Sequence, residues 1–168
     1  TDFEKAKGNI LPRLVNAEEN QELLAQRPHM IMDDLAVTYH LEMGKSDNGN
    51  MSVAITNTIL DTYGISQEEL HDLAVANLEE KVPATFQGMS EVVKEMMLPQ
   101  IMSDLDLSKE AALDYIEQMI PDGNEQMYVL SNDSRLNGAA AVLNEKAMED
   151  IAEKVGGDFF ILPSSIHE

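Results

Sequence analysis

The sequence predicts an α+β fold in which a mixed or antiparallel sheet carries helices packed mainly on one face. Three observations predict it. Apolar residues between positions 34 and 55 recur with period two, the rhythm of a half-buried strand. Elsewhere they recur at i, i+3, i+4 and i+7 behind residues that cap helices. Strands and helices also come in clusters joined by hairpins, without the strict βαβ alternation of a parallel sheet. At 168 residues the chain is long enough to bury one core without staples, so a single α+β domain over 1–168 is expected.

The elements follow in order. Ile10 to Val15 (ILPRLV) is an apolar run broken by Pro12, which cannot donate to a ladder, so it is expected as an edge strand or an extended lead-in. Asn16 and Glu19 have capping-box spacing and should open a helix that ends near Arg27 and Pro28. From Asp34 to Met43 the apolar face is Leu35, Val37, Tyr39, Leu41 and Met43, while Ala36, Thr38, His40 and Glu42 alternate with it. The turn-forming stretch GKSDNGN then leads to a second strand with Met51, Val53 and Ile55 on one side, making a hairpin.

A short helix at Thr58 to Tyr63 stops at Gly64, and Ser66 with Glu69 forms a second capping box. The helix behind it packs through Leu70, Leu73, Ala74, Asn77 and Leu78 until Pro83. Met89, Val92, Val93, Met96 and Met97 mark another helix that ends before Pro99, and Gln100 to Leu107 reads as loop. Ser108 caps a helix with Ala112, Tyr115, Ile116, Met119 and Ile120 on one stripe. The last third reads as strands at Met127 to Leu130 and Ala139 to Leu143, a helix capped by Asn144 and closed by Gly156, and a strand at Phe159 to Leu162. The methionines are expected to fill core gaps.

Composition excludes several function classes. With 31 acidic against 11 basic residues the formal net charge is -20, which repels phosphate backbones and anionic membrane surfaces. No nucleic-acid or membrane partner is expected. There is no cysteine, which removes disulfides, thiolate ligands and a thiol nucleophile. No apolar run reaches the length of a membrane span, and the start TDFEKAKGN lacks a secretory apolar core, so a soluble, cytoplasmic protein is expected.

Three blocks stand out together: ILPRLVNAEENQELLAQRPHMIMDDLAVTYHLEM, MSVAITNTILDTYGISQEELHDLAVANLEEK and MYVLSNDSRLNGAAAVLNEKAMEDIAEKVGGDFFILPSSIHE. In this order they resemble domain of unknown function family 5688, met in bacteria of the Firmicutes, with YVLSN, NGAAAVL and ILPSSIHE as the most specific stretches. The resemblance implies that the chain is a trimmed portion of a longer natural protein. It implies no substrate, cofactor or catalytic residue.

The residues that could carry chemistry are few. Ser164, Ser165, His167 and Glu168 bring a hydroxyl, an imidazole and a carboxylate within five positions, the ingredients of a nucleophile with its base and orienter. On an extended chain, however, Ser165 and His167 stand about 6 to 7 Å apart along the strand, and there is no G-x-S-x-G elbow. His40 with Glu42, or His167 with Glu168, supplies two ligands where zinc takes three or four. His29 and His71 lack H-E-x-x-H spacing. No metal site and no cofactor is therefore expected. Asn77 on an apolar helix face and Asn132 after a strand are polar groups that need partners; Asn132, His167 and Glu168 are candidates for a binding site.

The expectation is a non-enzymatic binding or regulatory module in which a sheet edge, or a groove beside Ser164 to Glu168, receives a protein partner. The alternatives are a hydrolase using Ser164 or Ser165 with His167, and a metal-binding domain.

Overall fold

A computed structural model of the chain describes residues 2–46, 49–123 and 125–162, and for 45, 46 and 49 the backbone alone. The fold is α+β with antiparallel pairing. It divides into two units: Thr1–Ala84 with Ser131–Glu168, and Thr85–Leu130.

The first unit is organised by one long strand. Its strands are β1 (Ile10–Asn16), β2 (Met30–Met32), β3 (Leu35–Ser46) and β4 (Gly49–Ala54). Strand β1 pairs with β3 from Ile10↔Leu41 to Asn16↔Leu35. Strand β2 pairs with Leu35 to Val37, and β4 with His40 to Ser46. A strand has only two edges, and β1 occupies one of them along Leu35 to Leu41, so β2 and β4 share the other end to end. Pro12 thus sits on an edge strand, where its missing N–H costs no ladder bond.

Helices cover one face. Helix α1 (Phe3–Ala6), α3 (Asn57–Tyr63) and α4 (Gln67–Lys81) contribute to a core in which Ala6, Ile10, Val37, Tyr39, Leu41, Ile55, Leu70 and Ala74 are buried together. The capping box of α4 closes in both directions: Glu69 N donates to Ser66 Oγ at 3.1 Å, and Ser66 N donates to Glu69 Oε2 at 2.8 Å. Gly64 ends α3 at φ 68, a left-handed position that a Cβ would strain. The buried amide Asn77 donates to Lys7 O at 2.7 Å and Ile10 O at 2.9 Å, tying α4 to the start of β1. Lys81 Nζ adds a bond to Gly8 O. In the last third Asn144 Oδ1 caps α7 (Glu145–Val155) by accepting from Ala147 N at 3.0 Å, and Leu143 packs on the core.

Several local expectations give way. Asn16 Oδ1 does accept from Glu19 N at 3.0 Å, but this bond opens a turn, and the helix is only α2 (Gln21–Leu24). Strand β2 was not anticipated; it joins β3 through Asp33 and Asp34, with Asp33 left-handed at φ 54, which Asp tolerates better than most residues. Ala36 and Thr38 are fully buried, so β3 is shielded on both faces there and not half-buried. Ala139 to Leu143 is a 3-10 helix (Gly138–Leu143) and not a strand. Asn137 enters it left-handed at φ 51, and Gly138 lies so close to Ser131 that a Cβ would collide. Phe159 to Leu162 forms no strand; it has no partner to pair with among the described residues, and Phe160 is 95% exposed.

The second unit contains α5 (Met89–Asp104) and α6 (Lys109–Met119), beside the two-stranded pairing of β5 (Ala84–Gly88) with β6 (Tyr128–Asn132). Phe86 and Tyr128 stack with centroids 4.8 Å apart. Strand β5 is a further element the sequence pattern did not reveal. Helix α5 runs through Pro99 instead of stopping before it, and residues 100–104 are helical. An internal proline deletes one i→i−4 bond but does not forbid the turns beyond it, and Leu105 N still reaches Ile101 O at 3.1 Å. The Glu125 carboxylate accepts from the Ser90 hydroxyl and, at 3.2 Å, from Ser90 N at the start of α5. The Ser90 hydroxyl bond is the main reason its pKa lies below the usual carboxylate value. Lys94 of α5 binds Glu117 of α6 and, at 2.6 Å, Asp122 beyond it. Among the described residues no helix is long and apolar enough to cross a membrane.

Candidate functional site

The helical cover of β3 and β4 ends part-way along the hairpin. On the core face, Tyr39 and Leu41 of β3 are 0% and 7% exposed, and Met43 is 56% exposed; opposite them the values are 1% for Ile55, 46% for Val53 and 53% for Met51. One continuous apolar stripe thus passes out of the core into solvent. A bulge between Glu42 and Gly44 at this boundary pairs Gly44 with Met51 and leaves Met43 as the extra residue of β3.

The adjoining edge is open. Ile55 N donates to Tyr39 O at 2.8 Å, so Tyr39 and Ile55 form a hydrogen-bonded pair, and by antiparallel alternation Leu41 and Val53 form the next. The peptide groups of Ser52 and Ala54 therefore turn away from β3. Among the described residues, no strand pairs with that outer edge of β4.

The opposite face of the same strands is polar. Arg13, directly across from Thr38, reaches Glu42 Oε1 at 3.0 Å and Ser52 Oγ at 2.7 Å through Nη2. One guanidinium thereby links β1, β3 and β4. Among the described residues, Arg13 Nε, Thr38 Oγ1 and His40 Nδ1 are buried without a protein hydrogen-bond partner. Burial first, and then the charges of Arg13 and Arg27, push the His40 pKa down to about 4. The imidazole is neutral near pH 7. The sequence signal for this cluster was Arg13 itself, a charge inside an apolar strand.

The anticipated site residues separate. Ser164, Ser165, His167 and Glu168 lie outside the described residues. Asn132 directs its amide to a turn: Nδ2 donates to Leu136 O at 2.9 Å, and Oδ1 accepts from Ser134 Oγ at 2.9 Å. His40 and Glu42 do share a face, but Glu42 is held by Arg13. Among the described residues, no three His, Asp or Glu side chains gather as a ligand set. His71 accepts or donates at Nδ1 to the Tyr39 phenol at 2.8 Å, and His29 Nδ1 lies 2.8 Å from Arg27 O.

Among curated proteins and among solved structures, none matches the chain. A family model does, over residues 1–168. The chain belongs to the family of unknown function DUF5688.

Proposed function

We propose that the chain is a non-catalytic binding module that receives an extended segment of a protein partner along the outer edge of β4. The observation that carries this reading is the coincidence, at Met51 to Ala54, of an unpaired strand edge with apolar side chains leaving the core. Strand addition uses the outward peptide groups of Ser52 and Ala54 for affinity and the alternating side chains for specificity. The period of two makes the preference explicit. Partner residues on the core side meet Val53 and Met51 and should be apolar; those on the other side meet Ser52 and the Arg13 guanidinium and should be polar or acidic.

The test is selection of random extended peptides from a display library against the full chain, followed by amide chemical-shift mapping of the best binder. Alternating apolar and polar peptides that shift residues 50–54 are expected. The variant Ala54→Pro, which removes an outward N–H and leaves the β3 bonds in place, should weaken them about tenfold. Selected peptides indifferent to Ala54→Pro, or shifting no residue of β4, would refute the reading.

A further inference from the structure

From the exposed methionines of the second unit we infer that the α5–α6 pair is a docking surface for a basic amphipathic helix of a partner protein. The inference is independent of the β4 edge.

Helix α5 carries an apolar stripe, yet none of its residues is buried. Met89, Met97 and Met102 of this helix are half-buried, but Met96 departs from the expected core position at 67% exposed, and on α6 Met119 and Tyr115 are 54% and 43% exposed. Their placement follows from the ion pair. Lys94 and Glu117 meet each other across the two helices. Met96 comes two residues after Lys94, and Tyr115 and Met119 lie two residues to either side of Glu117. A step of two turns a side chain about 200° around a helix. All three therefore face away from the salt bridge, at the end of the helix pair that the bridge defines.

The chemistry of the occupant is set by the charge and composition of the unit that carries them. Residues 85–130 contain nine Asp and Glu against two lysines, and one of those, Lys94, is bound to Glu117 and Asp122. They also contain six of the eleven methionines. Unbranched, polarisable Met side chains mould themselves to apolar faces of different shape, and the net negative charge of the unit selects a cationic one. A helix with leucine-like residues on one face and lysine or arginine on the other satisfies both. An acidic or nucleic-acid partner satisfies neither.

The experiment uses the full chain labelled at methionine methyl groups, with a synthetic Leu/Lys amphipathic peptide of about 18 residues, long enough to span α5. A scrambled peptide of the same composition controls for charge. The methyl signals of Met96 and Met119 should shift with the amphipathic peptide, and the scrambled peptide should bind at least about tenfold more weakly. Met96→Asp makes the surface more negative, so weaker binding to that variant separates apolar docking from simple attraction; Ala54→Pro should bind like wild type. Equal binding of the scrambled peptide, unmoved Met96 and Met119 methyls, or tighter binding by Met96→Asp would each overturn the inference.

Discussion

The phenolic oxygen of Tyr39 lies 2.8 Å from Nδ1 of His71, joining the fully buried centre of β3 to α4. The rings meet edge-on, with centroids 6.0 Å apart. Replacing Tyr39 by Phe keeps the packing and removes the bond, so urea unfolding at pH 7 should show a loss of about 1 kcal/mol. Burial, reinforced by Asp72, raises the Tyr39 pKa. The unfolded phenol ionises near pH 10 while the folded one stays neutral, so wild-type stability should fall as pH rises above about 10. Tyr39→Phe lacks that contribution, and the gap between the two proteins should narrow in alkali. A constant gap would mean that the Tyr39 pKa does not differ between the folded and unfolded states.

His40 governs the acid side. Its folded pKa of about 4 lies below the unfolded value of about 6.5. The unfolded chain thus takes up the proton first. The stability that neutral His40 contributes is complete above about pH 6.5 and is lost as pH falls through that window toward 4. Unfolding curves across this range should fall more steeply for wild type than for His40→Gln. Direct NMR titration should place the imidazole near pH 4, and a midpoint near 6.5 would contradict its burial beside Arg13 and Arg27.

Asn77 supplies a third test. Both bonds from its amide nitrogen go to backbone carbonyls of the segment that leads into β1. Asn77→Ala should destabilise by about 2 kcal/mol, the range for stranding buried acceptors. Asn77→Asp should cost more near neutral pH, because it sets a carboxylate against those carbonyls, and it should recover as the pH is lowered. Hydrogen exchange at Leu11, whose pairing with His40 is the first hydrogen-bonded pair of β1, would report the same loosening. If both variants unfold with wild-type midpoints, α4 does not anchor the strand.

Where the chain carried a strong local code, sequence and structure agree in detail. The strand character of Leu35 to Leu41, the two-way bonds of Ser66 with Glu69, the caps Ser108 and Asn144 and the stop at Gly64 rest on patterns among neighbours along the chain. Such patterns can be read without coordinates. They also predicted the α+β class and the antiparallel hairpin. Family membership was legible too, through stretches such as YVLSN and NGAAAVL.

The tertiary structure alone decided how far the cover extends. Val53 and Ile55 have the same character and lie on the same face, and only the reach of the helices buries one and exposes the other. The same holds for the methionines of α5, whose spacing announces an apolar stripe but not whether anything lies over it. Phe159 to Leu162 has strand composition, yet a strand exists only when another supplies its hydrogen bonds. Arg13 meets Glu42 and Ser52 across 29 and 39 positions of sequence. Capping and alternation act over a few residues, whereas burial and edge exposure depend on segments far apart in the chain, and for that reason the candidate site emerged only once the strands were paired.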